Sequence, residues 1–215
     1  PREVAVLIKH AWIQRLRADV LASTPEPSRS ELNNRLERDL RFCILHFPED
    51  NWAREQLERL YRDACDFPAL VALLEEWSRV QTNRTDRASL LLRLGEVHEH
   101  MGADLSRAAE VYAQAAAEDR DNAACLRALG RSFEALRRWQ SAAEAYLAQA
   151  EESDHQHERL VTLRRVAEMA QRELADPDLA ISSLQEITKH APDDLLSLYQ
   201  LVALSRLHRR TAVLQ

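Results

Sequence analysis

Three groups of side chains have spacings that invite a metal: His98-Glu99-His100, His155-Gln156-His157, and Cys43 with His46 one helical turn away. Two histidines separated by one residue on a helix point to different faces, and His155 to His157 stand in a polar loop stretch. None of the three is therefore expected to hold a metal. Asn83-Arg84-Thr85 has the form of a glycosylation acceptor, but without secretory context it reads as a polar loop. With 3 glycines in the chain there is no glycine-rich phosphate loop. No Ser/His/Asp or Cys/His arrangement has supporting context, so the reading is of a protein that is not an enzyme and uses no cofactor. Arg137-Arg138-Trp139 reads as solvated arginines beside a packing tryptophan, and His208-Arg209-Arg210 as favourable charge at a helix C-terminus.

Composition points to the scaffold that must carry these residues. Of 215 residues 30% are charged and 3 are Gly, with Ala, Leu, Arg and Glu dominating, so the chain is built from strong helix formers and is expected to be all-α. A formal net charge of −6 argues against a nucleic-acid partner, which would call for a basic stripe. Cys43, Cys65 and Cys125 are odd in number and lie in apolar helical patterns, which predicts small buried hydrophobes in a reduced compartment. No apolar run approaches the length of a membrane span and no signal peptide is visible, so the expectation is a cytoplasmic protein without membrane insertion. The chain begins at Pro1 and stops within a helical pattern at Gln215, which reads as an excerpt of something longer.

Periodicity divides the chain into helices. Val4, Leu7, Ile8, Trp12, Leu16 and Val20 form one apolar stripe. Ser23 to Ser28, with Pro25 and Pro27, predicts an extended connection, after which Ser30 can cap a helix striped by Leu32, Leu36, Leu40, Cys43, Ile44 and Phe47. Asn51 is a capping candidate for a third helix, and Asp66-Phe67-Pro68 separates it from a fourth. Two closely matched hairpins follow over 86–150. The first carries Leu91-x-x-Leu94-Gly95-x-x-His98 and then Ala108-x-x-x-Tyr112; the second carries Leu126-x-x-Leu129-Gly130-x-x-Phe133 and then Ala142-x-x-x-Tyr146. Their turns are Gly102-Ala103-Asp104, where Gly102 is suited to a left-handed C-cap, and Leu136-Arg137-Arg138. A further hairpin over about 158–192 and an apolar last helix complete the pattern.

In register, the small or apolar residue of each second helix is Leu36, Leu70, Ala108, Ala142 and Ala180, so the spacing alternates between thirty-four and thirty-eight residues. With Gly95, Gly130 and Ala167 at the small position of the first helix, and Pro48 and Pro192 after the second, the chain resembles the tetratricopeptide repeat. Departures from that pattern are Glu58 at a small position, Arg120 and Asp154 in place of Pro, and extra residues near Ala103 and Pro177. The resemblance implies an α-solenoid of about five stacked antiparallel hairpins plus a terminal helix, wound as a right-handed superhelix. The units would be 1–50 (atypical), 51–85, 86–122, 123–157, 158–192 and an incomplete 193–215, forming one array over 1–215. Small residues let partner helices approach, with Tyr112, Tyr146 and Leu184 filling the space beside them.

What the resemblance implies for function is a protein-protein interaction scaffold that holds a peptide or partner segment on its concave face. The first helices would direct Glu55, Arg59 and Arg62; Leu92, Glu96 and Glu99; Arg127, Arg131 and Glu134; Arg164, Glu168 and Gln171; and Tyr199 and Arg206 inward. Arg59, Glu96, Arg131 and Glu168 occupy one row with alternating charge, which reads either as a groove for a ligand of alternating charge or, the favoured expectation, as a ladder of salt bridges between neighbouring first helices. Arg127, Arg131 and Arg164 would stand on adjacent inner faces, three guanidinium groups able to fork onto a carboxylate or phosphate. The family's clamp for a terminal carboxylate uses Lys and Asn at these positions, and both are absent. Two other readings are a regulatory or substrate-recruiting domain of a larger enzyme and a self-assembly module making a homo-oligomer through the apolar terminal helix, with Leu195, Leu196, Leu198, Leu201, Val202 and Leu204.

Overall fold

The structure, a computed structural model, describes residues 10, 12–14, 26–48 and 51–213. All regular structure among them is helical. The chain divides into two compact units, Pro1–Val80 and Gln81–Gln215. The first unit contains α1 (Glu26–His46), α2 (Asn51–Asp63) and α3 (Phe67–Val80). The second contains α4 (Arg84–His100), α5 (Leu105–Glu118), α6 (Ala123–Ala135), α7 (Trp139–Glu152), α8 (Gln156–Met169), α9 (Pro177–His190) and α10 (Leu195–Val213). Within each unit every helix packs on the next. No helix among the described residues is long and apolar enough to cross a membrane. Most of the stripe expected over residues 4 to 22, and Ser23 to Pro25 after it, lies outside the described residues.

α1 starts earlier than the sequence suggests. Pro27 falls in its first turn, where its missing N–H is no loss and its fixed φ suits the helix, so Glu26 to Ser28 are helical and Ser30 lies inside the helix instead of capping it. Asn83 and Asn122 do act as caps: Asn83 Oδ1 accepts from the Thr85 N–H at 2.9 Å, and Asn122 Oδ1 from the Ala124 N–H at 3.1 Å. The Asn83-Arg84-Thr85 stretch is thus the start of α4. α10 runs to Val213, so His208, Arg209 and Arg210 stand inside it.

The hairpin turns share one device. Cys65, Ala103, Arg137 and Ala175 take left-handed backbone with φ of 53°, 50°, 56° and 50°, and each directly precedes the residue from which the return helix starts. Asp66, Asp104 and Asp176 at that next position accept from the N–H of Ala69, Arg107 and Leu179 at 3.1, 2.9 and 3.0 Å, whereas Arg138 makes no side-chain cap bond. Ala103 therefore takes the conformation expected of Gly102, because the reversal must occur immediately before the cap. Cys65 sits in such a turn and is exposed, which corrects its reading as a core residue; Cys43 and Cys125 are buried. The extra residue anticipated before Pro177 is absorbed as a π-helical turn, Ala170–Leu174, at the end of α8.

The core is serial. One cluster joins Ala108 and Tyr112 to Ala128, Leu129 and Ala145; the next joins Ala142, Ala143 and Tyr146 to Val166 and Met169; a third joins Ala150, Leu163, Ala167, Leu184 and Ile187. Each bridges one hairpin to its successor, as a repeat that cannot bury its apolar face alone requires. Leu36, Leu70, Ala108, Ala142 and Ala180, aligned by the repeat, are all buried. A Cβ on Gly95 would lie 2.5 Å from Cδ1 of Tyr112, and one on Gly130 would lie 2.6 Å from Cε1 of Tyr146. The two glycines are there because a tyrosine ring occupies the space.

Candidate functional site

The site is built on α6 and α8, the first helices of two successive hairpins, over a floor supplied by α7. None of the fourteen residues assigned to the inner face is buried. The structure distributes their interactions unevenly. The Tyr112 hydroxyl donates to Oε2 of Glu99 at 2.7 Å, and the Tyr146 hydroxyl donates to Oε2 of Glu134 at 2.8 Å. Burial, then these hydrogen bonds to carboxylates, raise both phenols well above their ordinary range. Glu99 and Glu134 thus serve the fold as acceptors for the ring that fills the glycine gap, and Arg62 is held by Glu58 at 2.9 Å.

The expected ladder is not formed. Among the described residues no ion pair joins Glu96, Arg131 and Glu168. Off-row pairs form instead, two between successive hairpins and one within the α4–α5 hairpin. Arg165 Nε donates to Glu134 Oε2 at 2.8 Å, Arg164 Nη2 to Asp194 Oδ2 at 2.6 Å, and Arg87 Nη1 to Glu118 Oε1 at 3.1 Å. Adjacent side chains on a helix diverge by about 100°. Arg164 consequently reaches forward to the start of α10 while Arg165 reaches back to α6. The cluster expected from Arg127, Arg131 and Arg164 is therefore corrected: Arg164 pairs with Asp194, and its neighbour Arg165 joins the other two.

Arg127, Arg131 and Arg165 line one cavity of about 320 Å³ together with Tyr146, Gln149 and Thr162. Arg165 is fixed by its bond to Glu134, which holds its guanidinium charged, and its Cζ lies 5.2 Å from the centre of the Tyr146 ring. Arg127 and Arg131 make no hydrogen bond or ion pair among the described residues. Beyond Arg165 and Val161 the groove opens into a second cavity of about 460 Å³ with Trp139, Met169 and, from the π-helical turn, Arg172. Arg165, Val161, Gln149 and Thr162 were absent from the inner-face assignment. The repeat register puts Arg165 two residues before the small position, where its counterparts are Gln56, Arg93 and Ala128; an arginine at two of four units is too irregular to mark the position.

Elsewhere, Tyr199 is 75% exposed on α10, beside Leu195 and Leu196, which are 77% and 58% exposed. Among the described residues no group of three or more His, Cys, Asp or Glu side chains is arranged around a metal position. His157 is on α8 and not in a loop, one residue past its start.

No protein-family model matches the chain, and no curated protein matches it significantly. Solved structures do. The chain is similar to the crystal structure of MamA, with a TM-score of 0.51 and 13% identity over 77% of this chain and 92% of that one. It is also similar to YrrB, a TPR protein with an unusual peptide-binding site, with a TM-score of 0.50 and 14% identity over 80% of this chain and 85% of that one. At these identities the likeness concerns the fold.

Proposed function

We propose, from a chain with the tetratricopeptide-repeat fold, that this protein is an interaction scaffold whose first-helix face holds an extended segment of a protein partner. The observation that carries this reading is the state of Arg127 and Arg131: two exposed guanidinium groups, adjacent by one turn on α6, open into a cavity without an internal counter-charge of their own. Carboxylates elsewhere on this face, Glu99 and Glu134, are already engaged with the fold. Glu96 and Glu168 belong to the same proposed face of this unit, and Arg59 and Arg62 to the corresponding first-helix face of the first unit, where Arg62 is constrained by Glu58. The common register of Glu58, Gly95, Gly130 and Ala167 supports reading 1–215 as one array. The test is a titration of a partner obtained by affinity capture against the chain and its Arg127→Glu/Arg131→Glu variant. Weakened binding is expected, and unchanged affinity rejects this face.

A second reading, self-assembly, is favoured by α10, where Leu195, Leu196, Tyr199, Val202 and Leu207 are all exposed while Leu201 and Leu204 pack onto the third core cluster. Light scattering at high concentration decides it: a monomer removes self-assembly through this helix.

A further inference from the structure

Two largely buried polar side chains reach the α6–α7–α8 cavity. Gln149 is 4% exposed and Thr162 7% exposed; both line the cavity with Arg127 and Arg131, and neither makes a hydrogen bond among the described residues. Their polar atoms are open to the cavity rather than sealed in the core, so the donors and acceptors of Gln149 and Thr162 face the same space as two unpaired arginines and are available to the polar atoms of a ligand. The primary amide of Gln149 offers a donor and an acceptor, the complement of a peptide group. The Thr162 hydroxyl offers the same pair. Arg127 and Arg131 are planar forks suited to a carboxylate.

The charge balance selects the anion. Arg165 is bonded to Glu134 and also faces Glu168, so the charge the cavity offers is that of Arg127 and Arg131 opposed by Glu158 on the rim, a single formal positive charge. A monoanion neutralises it; a dianion would bring excess negative charge against Glu134 and Glu158. We propose, building on the interaction-scaffold reading, that this cavity recognises an acidic residue within an extended peptide. Its carboxylate sits on Arg127 and Arg131 and its backbone is gripped by Gln149 and Thr162. Arg165 is a positioning residue that separates this cavity from the next, where the exposed wall of Val161 with Trp139 and Met169 receives a large apolar side chain beside the acidic one. The π-helical turn at Ala170–Leu174 brings Arg172 to the rim of that second cavity, an irregularity of the kind found at binding sites.

Short random peptides displayed on phage are selected on the full chain. A consensus peptide, acetylated and amidated at its ends, is then titrated by fluorescence anisotropy. The expected consensus pairs Asp or Glu with a large apolar residue. Arg127→Glu/Arg131→Glu and the peptide's own Glu→Gln change should each weaken binding by about tenfold or more, and should not add when combined. Thr162→Val and Val161→Glu should weaken it as well, with the melting temperature of each variant recorded alongside. Both arginines are exposed and unpaired, so their reversal leaves the fold intact. Enrichment of acid-free peptides whose binding is lost in Val161→Glu would overturn the carboxylate site while leaving the scaffold face in place. Peptides insensitive to every groove variant, or no enrichment at all, would overturn both. Tighter binding of a phosphoserine peptide, or binding that requires a free C-terminus, would also overturn the assignment to an internal carboxylate.

Discussion

The hairpins α4–α5 and α6–α7 solve the same packing problem differently from α2–α3 and α8–α9. In the first pair the return helix carries a tyrosine, Tyr112 or Tyr146, and the facing position is Gly95 or Gly130, with no room for a methyl group. In the second pair the return helix carries Leu74 or Leu184, both fully buried, and the facing position holds Glu58 or Ala167. A tyrosine ring excludes any side chain opposite it, whereas a leucine leaves room for one. Glycine is therefore set by the size of its partner across the hairpin and not by any demand for unusual backbone; no glycine among the described residues has positive φ.

Adding one methyl is the sharpest way to break that comparison. Gly95→Ala and Gly130→Ala should destabilise by about 1–3 kcal/mol through overpacking, more than the gain of about 1 kcal/mol in helix propensity. Urea unfolding of Gly95→Ala/Tyr112→Leu should recover much of the loss, converting one hairpin type into the other. Failure of the rescue would show that the glycine answers to something besides the ring.

Alkali should separate the hairpin types next. Tyr112 and Tyr146 are held above their ordinary pKa by burial and then by the bonds to Glu99 and Glu134, so the folded state resists their ionisation. The stability this protects is whole below the unfolded-state value of about 10 and falls as pH rises past it, by about 1.4 kcal/mol per pH unit for each tyrosine. Denaturation midpoints at neutral pH and above pH ~10 should diverge less in the Tyr112→Phe/Tyr146→Phe double variant than in the parent chain. Tyr61 in the first unit, pushed up to about 12 by burial and by its bond to Glu37, adds to the slope.

At neutral pH the hydroxyls matter less. Tyr112→Phe should cost about 1 kcal/mol by removing the hydrogen bond to Glu99. Tyr146→Phe should cost less, because Glu134 keeps Arg165 as a partner. A thermal melt ranks the two, and equal losses would mean that Arg165 does not compensate. The smallest effect belongs to Ala167→Gly, about 0.5–1 kcal/mol from helix propensity, with the sign opposite to that of a methyl deletion where a ring needs space. A stabilised Ala167→Gly variant would contradict the size rule.

Much of this was legible in residue order. Gly95 and Gly130 with Tyr112 and Tyr146 repeat closely enough to announce both the hairpin and the contact inside it. The turns were legible in place but not in detail: glycine at 102 looked like the left-handed residue, yet the requirement falls on whatever precedes the cap, here Ala103. The site was half legible. Arg127 and Arg131 follow from register alone, because both lie on α6 and need no second helix to be placed on its inner face. Arg164 and Arg165 could not be ranked, since neighbours on one helix differ only in which adjoining helix they meet.

By itself, then, the sequence determined the helical class, the repeat length and the size-matched pairs, because each depends on residues a fixed distance apart within one hairpin. Tertiary structure alone decided which charges are consumed. Whether Glu134 finds Arg165, whether Arg164 finds Asp194, and whether Gln149 and Thr162 are left facing a cavity depend on the offset between successive hairpins. That offset is fixed by the packing of whole side-chain clusters, and a periodic pattern does not encode it.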